Sequence, residues 1–220
     1  MHIDTRSYHI TFTEFTVAFV PFAALLGVAL LAGEATLDPG FYRTVYTIWV
    51  TAVLVTVALC AFALPGDSPR KHNVWFLFWT LSFVAYLVHM GYAIFAAYHG
   101  SWAEFIEGQG VFPAIINVLF TALWATDVGL SWLYHGHARW LRVERVVTHV
   151  FVGLTFLIST IFLKHGFVNL IGIGMALSIL VCLVIRYDAR HPGSSSSVRL
   201  PEGVSVGDPF RTRVRQGGIS

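Results

Sequence analysis

Four side chains that are costly to place in hydrocarbon stand inside apolar stretches of this sequence: His89 in FVAYLVHMGYAIFAAYHG, Asn117 in IINVLF, Asp127 in LWATDVGL and His149 in VVTHVF. Each needs a partner at membrane depth, which makes each a candidate for function. Counting residues at ~1.5 Å apiece puts His89 roughly 22 Å and Asn117 roughly 25 Å from one end of their helices, and Asp127 roughly 10 Å and His149 roughly 6 Å. The levels predict two polar contacts, His89 with Asn117 or with a Ser or Thr of a neighbouring helix, and Asp127 with His149, each holding neighbouring helices in register by hydrogen bonds.

Histidines at membrane depth also suit haem, and two apolar segments carry two each: His72 with His89, and His149 with His165. A bis-histidine site needs its ligands to face one iron. Seventeen residues turn a helix by about −100° and sixteen by about 160°, so neither pair of axial positions lines up, and His89 and His149 differ in depth by roughly 16 Å. A metal centre at one membrane face would draw on Glu14, His72, Asp127, His135, His137 and His149, whose types suit zinc, iron or copper. The HGH triplet is too short to close a tetrahedral site, so these histidines are expected to be interfacial and no metal site is assigned.

In AYLVH, Ala85 precedes His89 by four residues, one turn away on the same face, and leaves flat space beside an imidazole. This resembles the Ala-x-x-x-His pattern by which light-harvesting helices hold a bacteriochlorophyll magnesium. The resemblance covers five residues, and it implies a cofactor-binding role for His89 with Ala85 as its small neighbour. On that reading the cofactor would be a haem or a bacteriochlorophyll; the reading favoured for His89 is a neutral, hydrogen-bonded imidazole, which leaves the cofactor unknown. Asp127 and His149 suggest a further reading, a proton-coupled transporter. Ser82, Ser131, Ser159 and Ser178 have no acid–base partner at a revealing spacing, and the chain has no phosphate-binding glycine loop. Lys164 lies at a segment end, where it snorkels, so a retinal Schiff base is not expected.

The elements that position these groups follow from composition. Of 220 residues, 56% are hydrophobic and 12% charged, and the mean hydropathy is +0.68. A soluble domain does not hide so much apolar surface. Apolar runs at 13–33, 45–64, 74–98, 112–134, 145–163 and 167–187 each have roughly the 17–25 residues that span a bilayer. The expectation is an all-α polytopic membrane protein, a bundle of six transmembrane helices over residues 1–187. The first run is expected to be retained, since its leading segment mixes Asp4, Arg6 and Glu14 without a basic excess.

Arg70, Lys71, Arg139, Arg142, Arg145 and Arg186 gather at alternate connections, whereas Glu104 and Glu107 mark an opposite loop without Lys or Arg. The positive-inside rule then places both termini in the cytoplasm, in a bacterial inner membrane. Trp75, Trp79, Tyr98, Trp102, Trp132, Tyr134 and Trp140 fall near the ends of runs, as an aromatic belt would. Pro21 predicts a kink in the first span, and Ala93/Ala97, Ala125/Gly129 and Gly172/Gly174 predict close helix approach. Cys60 and Cys182 are expected to be small buried hydrophobes. Residues 188–220 are rich in Ser, Gly, Pro and Arg and read as a polar cytoplasmic tail, extended or ordered by a partner.

With short connections and sparse intramembrane chemistry, the expected function is a non-catalytic accessory or scaffolding subunit of a larger photosynthetic or respiratory membrane complex. Its partners would be the lipid bilayer and other membrane subunits, with no nucleic acid. The alternative is a redox or pigment-binding protein with His89 as axial ligand.

Overall fold

The structure, a computed structural model, describes residues 9–134, 138–163 and 166–191. Every regular element there is helical: α1 (Phe12–Glu34), α2 (Pro39–Ala63), α3 (Pro69–Tyr92), α4 (Trp102–Gln109), α5 (Val111–Leu133), α6 (Arg139–Ile158) and α7 (Phe167–Arg190). α3 and α6 each end in a wide π turn, Ala93–Ala97 and Ser159–Leu163. Six helices are long and apolar enough to cross a membrane. The seventh, α4, is an eight-residue helix between the third and fourth spans, where the sequence reading expected only a loop. Ser101 accepts from the Glu104 amide to start it, and Gly110 at φ +87° ends it.

Local chemistry also moves several span boundaries. α2 begins at Pro39 because Asp38 caps the Phe41 amide, and α3 begins at Pro69 because Ser68 caps Lys71. Proline fits the first helical position, since its missing N–H has no partner to lose. Thr11 and Glu14 form a reciprocal capping box at the start of α1. α6 starts at Arg139, so the arginines expected in a loop ride its first two turns. α7 continues to Arg190, three residues into the segment read as tail. Residues 192–220 of that tail, with His135, His137, Lys164 and His165, lie outside the described residues. α1 runs unbroken through Pro21.

Burial grades the bundle. Half or more of the apolar window is covered in α2 and α3, at 50% and 56%, but only 17% in α1 and 22% in α7. α2 and α3 are therefore the packing centre. On α2, Thr47 and Thr51 are wholly buried, and their hydroxyls return to the Arg43 and Thr47 carbonyls, which lets a polar face sit in the core at little cost. Close approach occurs at Gly33, where an added Cβ would meet the Arg43 backbone nitrogen at 2.9 Å, beside the Glu34–Arg43 ion pair. It occurs again at Gly172, where a Cβ would collide with Thr160 Oγ1. Gly129 and Gly174 have open space instead, so only part of the expected small-residue pattern marks a contact. The π turn of α6 frees carbonyls, and Asn169 of α7 donates to two of them, Thr160 and Ile161, at 3.0 Å each.

Candidate functional site

Since six spans alternate in direction, α1, α3 and α6 begin at the same membrane face, where α2, α5 and α7 end. Near this face a polar cluster is sealed between α3, α5 and α6. Trp75 and Trp79 stand one turn apart on α3, about 9 and 15 Å from its start. Trp79 Nε1 donates to Asp127 Oδ2 at 2.6 Å, and Arg145 Nε approaches Asp127 Oδ1 at 3.5 Å. The same guanidinium donates through Nη2 to Ser131 at 2.9 Å and lies over the Trp75 ring, 4.7 Å from its centroid. Asp127 is fully buried, whereas the Arg145 side chain keeps 21% of its surface exposed.

His149 completes the cluster. Indole N–H groups only donate, so the 2.7 Å bond from Trp75 Nε1 makes His149 Nε2 an acceptor. The proton then resides on Nδ1, which donates to the Arg145 carbonyl at 2.7 Å. The imidazole is a neutral ring with both nitrogens used. It stacks on Trp79 at 3.9 Å and on Phe62 at 4.2 Å. Asp127 and His149 do not form the expected hydrogen-bonded pair; both instead meet Trp79 and Arg145. The indoles reach the buried acceptors first, because both lie on the α3 face turned to α5 and α6.

His89 and Asn117 do not make the expected pair. His89 Nδ1 donates to the Thr44 carbonyl of α2 at 2.8 Å, and Asn117 donates to Gln109 Oε1 of α4 at 2.6 Å. The depth count cannot give azimuth, and the α3 face bearing His89 is turned to α2. At this level α3 and α5 are joined instead by Tyr86 and Thr121, whose hydroxyls lie 2.9 Å apart.

An Nδ1–H bonded to a carbonyl is how metal-ligating histidines are commonly oriented, with Nε2 left to the metal. The floor beside it is different: Ala85 has no exposed surface, so the flat space that a macrocycle would need over this alanine is filled by protein. Among the described residues, no three His, Cys, Asp or Glu side chains come together as a metal site.

Sequence reasoning missed the indoles and the arginine. Trp75 and Trp79, expected at the membrane interface, are 4% and 1% exposed, while Trp102, Trp132 and Trp140 remain exposed. Arg145, expected in a loop, supplies the cation. The available signals were the four-residue spacings Trp75–Trp79 and Arg145–His149, each of which puts two polar side chains on one helix face. Cys60 and Cys182 are free and lie close enough for their thiols to interact across α2 and α7. Comparison with family models, curated proteins and solved structures finds no match to this chain.

Proposed function

We propose that the chain is a non-catalytic scaffolding subunit of a larger membrane assembly, set in a bacterial inner membrane with the Arg-rich face inward. The observation that carries this reading is the sealed cluster. The two indole N–H groups donate to Asp127 and His149, and His149 Nδ1 donates to the Arg145 carbonyl. A cleft between α1 and α3 and another along the end of α3 are lined by none of the cluster's residues. Chemistry on a substrate needs polar groups that face a cavity; here they join helices. Meanwhile α1 and α7 present most of their apolar length outward, which supplies lateral surface for other subunits. Purification in mild detergent tests the proposal. The chain is expected to co-elute with partner subunits, and elution as a lone monomer would remove the reading.

A second reading is favoured by one observation, the Nδ1–H bond from His89 to Thr44. In it His89 is the axial ligand of a haem or a bacteriochlorophyll, and the cofactor approaches Nε2 from a side other than the covered Ala85. The absorption spectrum of the purified protein decides it: a visible band that disappears in His89→Ala supports the reading, and a spectrum confined to the aromatic region ends it.

A further inference from the structure

The cleft between α1 and α3 has a charged mouth and an apolar depth. It is lined by Thr13, Glu14, Val17, Ala18, Arg70, Val74 and Phe78 and has a cavity volume of about 120 Å³. Arg70, Val74 and Phe78 recur every fourth residue, so the cleft follows one stripe of α3 for about 12 Å along the membrane normal. Glu14 and Arg70 both lie in the first turn of their helices, at the same membrane face and at the level of lipid headgroups.

The two charges are positioned but not joined. Glu14 Oε2 accepts three hydrogen bonds at 3.0 Å each, from the Thr11 amide, the Thr11 hydroxyl and Asn73 Nδ2. Oε1 takes part in none of them. Arg70 is exposed and, among the described residues, forms no hydrogen bond or ion pair, although it lies close enough to act electrostatically on Glu14. A carboxylate fixed through one oxygen and a guanidinium beyond salt-bridge distance from it thus share one cleft mouth and present opposite charges to a dipolar group. Arginine suits phosphate, and a carboxylate suits a primary ammonium that donates N–H bonds.

We propose that this cleft binds one phospholipid with a primary-amine headgroup, of the phosphatidylethanolamine type. Its phosphate lies on Arg70, its ammonium lies on Glu14 Oε1, and one acyl chain lies along Val17, Val74 and Phe78. The ammonium sets the selectivity: a choline headgroup has no N–H to donate, and a glycerol headgroup has no cation.

Native mass spectrometry of the full-length protein tests this, with each of three lipids offered in detergent: phosphatidylethanolamine, phosphatidylcholine and phosphatidylglycerol of matched chains. The wild type is expected to retain one phosphatidylethanolamine at least several-fold more than either of the others. Glu14→Gln preserves the capping box, in which Gln serves as well as Glu, and is expected to equalise ethanolamine and choline lipids. Arg70→Ala should lower retention of all three. Val17→Trp, at a position 58% exposed, fills the cleft from outside without disturbing the core and should abolish retention. Equal retention of the three lipids by the wild type, or selectivity unchanged in Glu14→Gln, would overturn the proposal. So would lipid retained by Val17→Trp.

Discussion

Replacing Arg145 by methionine removes the cation paired with a carboxylate that has no exposed surface. At 3.5 Å and an effective dielectric constant of about 20, the lost attraction is about 5 kcal/mol. Breaking a buried pair from one side costs a comparable ~3–5 kcal/mol. Asp127→Asn removes the other side more gently. The amide still accepts from Trp79, and the guanidinium keeps Ser131, the Trp75 face and a 21% exposed route toward water. Its cost should be about 1–2 kcal/mol, set by one weakened charge-assisted hydrogen bond. The double variant removes both members of the Asp127–Arg145 pair, so it should be more stable than Arg145→Met alone. Unfolding titrations in mixed micelles give the four free energies, and a coupling of at least ~2 kcal/mol is expected against the ~0.5 kcal/mol scatter of independent sites. Additive effects would refute the idea that Arg145 is held in the cluster by the buried charge of Asp127.

If Asp127 and His149 instead carried protons for transport, Asp127→Asn would abolish flux in liposomes while leaving stability untouched; the sealed cluster predicts a stability loss and no proton-coupled flux to abolish. Trp75→Phe deprives His149 Nε2 of its donor and should cost about 1–3 kcal/mol in the same unfolding assay, whereas Trp102→Phe, on an exposed residue, should be nearly neutral. Gly172→Ala should cost about 1–3 kcal/mol, because its methyl would collide with Thr160 and Ile161. Gly174→Ala, with open space around it, should instead gain about 0.5–1 kcal/mol from helix propensity. Equal shifts for the two glycines would show that α7 does not pack on the π turn of α6.

The number of spans was legible because length and apolarity alone decide whether a helix crosses a bilayer, and no partner residue enters that decision. The early starts of α2 and α3 were written in Asp38–Pro39 and Ser68–Pro69, whose capping chemistry is local, but hydropathy windows average over it. The cluster was half legible. Depth along a helix follows from counting, so Asp127 and His149 could be put at one level. Azimuth depends on which helices pack together, and this sent His89 to Thr44 instead of Asn117. Trp75 and Trp79 were misplaced for another reason. An indole near a span end serves equally as an interfacial anchor or as a buried donor, and only the acceptor waiting on α5 or α6 distinguishes the two.

The wide turns at Ala93–Ala97 and Ser159–Leu163 lie at the membrane face opposite the sealed cluster. A π turn is the shape a helix takes when one residue is inserted and the flanking turns keep their places. α3 and α6 therefore have adjustable length at one end and fixed phase at the other. Insertions or deletions of a single residue should be accommodated where Asn169 already gathers the loose carbonyls, whereas the same change before Trp75 or Arg145 would rotate every donor away from its acceptor by about 100°.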